Sequence, residues 1–166
     1  MLQSKAFDFA RRATLCAAVA TLFSACATIE KPVSVAETIA KTPSLSTLNG
    51  LIVSAGLTSA LQGTGPFTVF APNNEAFKAV KPAAMDDLAK HPEKLKDLLT
   101  YHVVPALALA KDVKNSNVKA LNGDPLALSK AGDFVTVENA AVVQADVMAS
   151  NGVIHIVDTV MTPVKK

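Results

Sequence analysis

The spacing of apolar residues changes character once along the chain, from helical before about residue 112 to strand-like after it. Ser34-Val35-Ala36-Glu37 has the form of a capping box and predicts a first helix, which Pro43 stops. Ser44 is expected to cap a second helix, in which Leu45, Leu48, Leu51, Ile52 and Ala55 share one face and Gly56 ends the run. Residues 57–62 predict a further helical turn. In residues 67–71 the period shortens to two, with Phe67, Val69 and Ala71 on one face of a strand and Thr68 and Phe70 on the other; Pro72 ends it. Asn73 or Asn74 then caps another helix, and Phe77 is placed to fold back beneath the strand. Residues 82–90 and 92–99 predict two helices that begin on prolines. Met85, Leu88, Leu95, Leu98 and Leu99 form their apolar sides, opposite a solvated face of Asp86, Asp87, Glu93, Lys94, Lys96 and Asp97. Tyr101-His102-Val103-Val104-Pro105 turns strand-like.

Beyond residue 112 the pattern is β. Residues 118–121 and 126–128 flank Asn122-Gly123, the strongest hairpin signature in the chain. Strands are expected at 134–138 and 142–147, joined at Asn139. The last stretch, 151–163, opens on the turn pair Asn151-Gly152, continues as Val153-Ile154-His155-Ile156-Val157 and closes at Pro163. A run this apolar belongs in the middle of a sheet, covered on both faces. Helices first and strands later predict an α+β fold with segregated layers.

Half of the residues are hydrophobic, mostly Ala, Val and Leu, with one Tyr and no Trp. Lys5, Arg11 and Arg12 followed by an uncharged apolar run over 13–23 form a secretory signal peptide, expected to occupy residues 1–25. The run is too short to span a membrane as a stable helix. Phe23-Ser24-Ala25-Cys26 resembles a bacterial lipobox and marks Cys26 as a lipid anchor; Ala25-Cys26-Ala27 alternatively fits cleavage to a soluble form. Arg11-Arg12 fits twin-arginine export poorly. Residues 26–32 then form a tether and 33–164 one domain. Without residues 1–25 the chain has thirteen basic and thirteen acidic side chains, so its formal net charge is zero. Nothing electrostatic favours nucleic acid or an anionic membrane. Only Cys26 remains of the two cysteines, so disulfides cannot hold the exported fold together. A core must do so, and about 140 residues suffice to bury roughly two-thirds of the unfolded surface.

Residues with chemical potential are few. His91, His102 and His155 lack the close spacing of ligand pairs on one element, so no metal is expected. Gly63-Thr64-Gly65 precedes a strand instead of following it and lacks a third glycine, which excludes a dinucleotide loop, and no cofactor is expected. Ser150, His155 and Asp158 are suggestive of a hydrolase. On a regular strand, however, His155 and Asp158 leave on opposite faces, and no G-x-S-x-G turn exists.

Three stretches taken in order resemble the fasciclin (FAS1) domain family: residues 65–77 its first signature segment, Tyr101-His102 its central pair, and 151–163 its second segment. The resemblance spans about residues 33–163. It implies a compact wedge of two roughly perpendicular sheets surrounded by short helices. It also implies an exported, non-catalytic protein that contacts an unidentified protein or matrix component at the cell surface; the chain itself is expected to be a monomer. In animal members an Asp-Ile pair contributes to integrin contact. Here Asp146-Val147 takes its place, and Tyr101-His102 matches a second motif linked to the same contact. These four residues are the possible adhesion contacts, and Asn151, Gly152, His155 and Asp158 the expected structural ones. The alternative is a periplasmic carrier holding a small apolar ligand between helices and sheet.

A neutral imidazole among Ile and Val must satisfy both ring nitrogens within the protein. His155→Ala is therefore expected to lower the melting temperature clearly. A variant of full stability that had lost a binding or catalytic activity would contradict a structural role.

Overall fold

The computed structural model describes residues 33–132 and 134–163. The expected signal peptide, Cys26 and the tether lie outside the described residues. The helical half comprises α1 (Val35–Lys41), a 3-10 turn (Pro43–Leu45), α2 (Ser46–Ser54), α3 (Thr58–Leu61), α4 (Asn74–Ala79), α5 (Pro82–Lys90) and α6 (Pro92–Tyr101). Among the described residues no helix is long and apolar enough to cross a membrane. Ser34 caps α1 by accepting the Glu37 N–H, and Asn73 caps α4 by accepting the Ala76 N–H at 2.7 Å. Asn74 instead reaches the start of α2, accepting the Thr47 N–H and donating to the Pro43 carbonyl. The second helix begins at Ser46 and not after Ser44. Pro43 starts a separate 3-10 turn that contains Ser44, so the expected cap is a residue of that turn.

The strands are β1 (Phe67–Pro72), β2 (Val103–Val104), β3 (Ser116–Lys119), β4 (Pro125–Ala131), β5 (Phe134–Val137), β6 (Ala140–Ala149) and β7 (Gly152–Val157). Their order is β2-β1-β7-β6-β5-β4-β3, and every pair is antiparallel except β1 with β7. β6 belongs to both halves of this sheet: Ala140 and Ala141 pair with β5, whereas residues 142–149 pair with β7 through two register shifts. Bulges of this kind bend a strand and raise its twist. The two edges meet at one corner, where the Leu121 N–H, just beyond β3, donates to the Val103 carbonyl of β2 at 2.7 Å.

Two apolar clusters fill the fold, and strand parity decides which residue enters which. Val69, Ala71, Ile154 and Ile156 point into a cluster with Val35, Ile39, Leu48, Leu95 and Leu99 from the helices. Phe70 and Val157 point the other way, onto Tyr101, Leu126, Leu128, Val135 and Val137 between the two halves of the sheet. Every residue of β7 is buried, as its uninterrupted apolar run predicts.

Tyr101 does not begin a strand. It continues the helical spacing of Leu95 and Leu98 and is the last residue of α6, and only Val103 and Val104 pair in β2. The Asn122-Gly123 hairpin has a five-residue connection, because Lys119 pairs with Pro125. Gly123 there adopts φ 97°, and the Asn122 side chain accepts the Asp124 N–H.

β1 and β7 lie so close at their starts that Gly152 is required. A Cβ on Gly152 would overlap the Phe67 backbone, and one on Gly65 would overlap the Asn151 carbonyl. Gly152→Ala must push apart the pair on which both clusters rest, and it is expected to cost about 3 kcal/mol or more. Gly50, inside α2 with open space around it, is the control: Gly50→Ala is expected to add about 0.5–1 kcal/mol. Urea denaturation of both variants checks the contrast.

Candidate functional site

The site is built outward from His155, whose ring lies on the face of β7 shared with Val153 and Val157 and is 1% exposed. It stacks on Phe70 of the neighbouring β1, the centroids 5.5 Å apart. Its Nδ1 accepts the Asp146 backbone N–H at 3.2 Å, and its Nε2 lies 2.7 Å from the Ala108 carbonyl. A backbone N–H only donates and a carbonyl only accepts. The ring is thus neutral, with its proton on Nε2. Burial holds its pKa below the ordinary histidine value, partly opposed by the Ala108 carbonyl and the Asp146 carboxylate.

Both partners of His155 lie on segments with irregular backbone. Asp146 sits within the second register shift of β6, between Gln144 and Val147, at φ 55°, a left-handed conformation that Asp tolerates better than most residues. Its exposed side chain accepts the Ala110 N–H at 2.9 Å. Ala108 belongs to the loop after β2, which buried Thr68 also grips: the Thr68 hydroxyl donates to the Ala106 carbonyl at 2.6 Å and accepts the Ala108 N–H at 2.8 Å. Asp146 is thus a carboxylate on the outer surface held by its own backbone, by its side chain and by a buried ring beneath it. Val147 is half-buried and packs against the helical cluster.

Tyr101 and His102 are each only 2% exposed, so in this fold neither offers a partner more than a trace of surface. The Tyr101 hydroxyl lies 3.3 Å from both the Pro125 carbonyl and the Glu138 carboxylate, and burial, then Glu138, pushes its pKa up to about 12. His102 repeats the His155 arrangement with the opposite tautomer. Its Nδ1–H donates to the Leu98 carbonyl at 2.8 Å, and its Nε2 accepts the Met161 N–H at 3.1 Å. The ring joins the end of α6 to the segment after β7. Burial lowers its pKa to about 4, against a smaller rise from the Leu98 carbonyl.

Asn151 is a three-way clamp: it accepts the Val35 N–H at 2.8 Å and donates to the Leu61 and Gly63 carbonyls. Asp158 lies one residue past β7, exposed, and accepts the Ala141 N–H, far from the role of a histidine partner. Thr68 and Glu138 belong with these residues, although the spacing of motifs did not single them out. Thr68 was legible as a polar residue inside a buried strand run. Glu138, expected as the end of the 134–138 strand, lies instead in the turn after β5, which ends at Val137, and adopts φ 54°.

The chemistry available is limited. Both nitrogens of both buried histidines are committed to backbone, and among the described residues no side-chain nucleophile is hydrogen-bonded to either ring. Among the described residues no three His, Cys, Asp or Glu side chains are grouped to hold a metal ion. The apolar cavity between helices and sheet, lined by Leu48, Ile52, Leu61, Val69, Leu99 and Val103, has a volume of about 20 Å³. That is room for about one water, whereas ligand pockets hold roughly 300–1,000 Å³.

The two imidazoles make stability dependent on acid. For His102 the folded pKa of about 4 lies below the unfolded value of 6.5. The unfolded chain therefore binds more protons between these values, and stability falls as pH drops through that window. The loss from His102 alone is about 3 kcal/mol by pH 4, with His155 adding in the same direction. Urea midpoints measured from pH 7 to pH 4 are expected to follow this slope, and His102→Gln is expected to be less stable at pH 7 but flatter across the window.

A family model described as the fasciclin domain matches residues 43–163. The protein sll1483 of Synechocystis is 40% identical over 139 residues, covering 82% of this chain and 77% of its own length. The pig transforming growth factor-beta-induced protein ig-h3 is 40% identical over 119 residues, and the match covers 71% of this chain but 17% of that protein. The cell surface glycolipoprotein MPB83 of Mycobacterium bovis is 33% identical over 134 residues, 78% of this chain and 60% of its own. Among solved structures, a FAS1 domain pair from the insect cell adhesion molecule fasciclin I superposes with a TM-score of 0.68 at 18% identity, over 81% of this chain and 51% of that one. The α+β fold of the described residues is similar to that of the insect FAS1 pair. With its family model matched along residues 43–163, the chain belongs to the fasciclin domain family.

Proposed function

We propose that this protein is exported, is anchored by an acylated Cys26 at the cell envelope and makes non-catalytic adhesive contact through the surface around Asp146. One observation carries the reading of the surface. Asp146 is an exposed carboxylate fixed on a bulge by the His155 ring and the Ala110 N–H, so its charge is presented at a set position with little ordering left to lose on binding. The relatives support the location and the mode: one is called a cell surface glycolipoprotein and another belongs to a cell adhesion molecule. The lipobox-like Phe23-Ser24-Ala25-Cys26 supports the anchor. Tyr101 and His102, the other contacts expected from the family resemblance, act in this reading from inside, through packing and the His102 bridge. The carrier alternative finds a cavity of about 20 Å³ where it needs a ligand-sized one.

Asp146→Asn separates contact from architecture, because Asn tolerates the left-handed backbone and its carbonyl oxygen can still accept the Ala110 N–H. Stability is expected to stay within about 0.5 kcal/mol of the parent. Retention of protein-coated beads on envelopes of the source cells is expected to fall several-fold. Unchanged retention would remove Asp146 from the contact.

A further inference from the structure

An open depression of about 660 Å³ lies where β7 begins, lined by Gln62, Thr64, Ser150 and the exposed apolar side chains of Leu107 and Met148. Leu107 is 50% and Met148 62% exposed, although they come from different elements and converge on one hollow. Among the described residues no charged side chain lines it. Val33, which follows the tether in sequence, sits at its rim, since its carbonyl accepts the Ser150 N–H at 2.8 Å and Ser150 is part of the lining. Only residues 27–32 separate Val33 from Cys26, a span of at most about 25 Å when fully extended.

We propose that this depression is the face the domain lays against the lipid bilayer that holds Cys26, with Leu107 and Met148 entering the apolar boundary and Gln62, Thr64 and Ser150 lying among the headgroups. The proposal rests on acylation of Cys26. A bilayer within so short a reach meets the domain at high effective concentration, so two half-exposed apolar side chains suffice where they would not recruit a free protein. The attraction is apolar and not electrostatic. The chain after residue 25 has no net charge, and exposed Asp146 lies two residues from Met148, so anionic lipid gains nothing.

The test uses the chain beginning at Cys26, coupled through that single thiol to a maleimide-headgroup lipid in phosphatidylcholine vesicles, against the same protein capped with N-ethylmaleimide. Amide hydrogen exchange is expected to slow several-fold in residues 62–65, 106–109 and 147–151 of the coupled form, with the 129–137 hairpin unchanged. A Leu107→Ser/Met148→Ser pair is expected to lose that protection at unchanged melting temperature. Equal exchange in both forms, protection spread evenly over the domain, or stronger protection on phosphatidylglycerol than on phosphatidylcholine would overturn the proposal. The mass of the native mature N-terminus tests acylation separately: an unmodified terminus would end the anchor reading, whereas the exchange pattern of the coupled protein speaks only to the face.

Discussion

A buried imidazole has two nitrogens of opposite need, one that must donate and one that must accept, and this fold answers both needs twice with backbone. His155 takes an N–H from the β6 bulge and gives its proton to the loop after β2. His102 gives its proton to the last turn of α6 and takes an N–H from the chain after β7. Each ring thus fastens two segments that lack regular pairing there, and the cost of leaving either nitrogen unpartnered in apolar surroundings holds the segments in place. Protonation sets two N–H groups facing each other in both bridges. The acid sensitivity of the fold and its internal order therefore share one cause.

The exposed surface follows from these bridges. A left-handed Asp in mid-strand is unfavourable alone, and the Asp146 N–H would have no ladder partner at the bulge. His155 supplies that partner from beneath, and Ala110 returns a bond to the carboxylate from the side. Thr68 steadies the same loop from the next strand. Buried polar residues of β1 and β7 thus shape a part of the molecule that a partner or a membrane can meet.

What depended on local spacing was legible in the residues. Ser34 and Asn73 cap helices, the strand faces of residues 67–71 divide as their alternation requires, and the buried run 153–157 lies between two neighbours in the sheet. What depended on distant backbone was not. The bond from His155 to Ala108 spans 47 residues and that from Asn151 to Leu61 spans 90. A side chain's periodicity gives the face on which it leaves but not the carbonyl it will meet. The helical continuation to Tyr101 was hidden for a related reason: Val103-Val104 made the whole stretch look extended, although the Leu95-Leu98 spacing already ran on to Tyr101.

The central claim, that two neutral histidines of opposite tautomer fasten the fold through backbone, is tested most directly by imidazole nitrogen NMR on uniformly labelled protein at pH 7. The account predicts a protonated Nε2 with an unprotonated Nδ1 at His155, and a protonated Nδ1 with an unprotonated Nε2 at His102. Averaged tautomers at either ring, or a charged imidazolium at neutral pH, would contradict it.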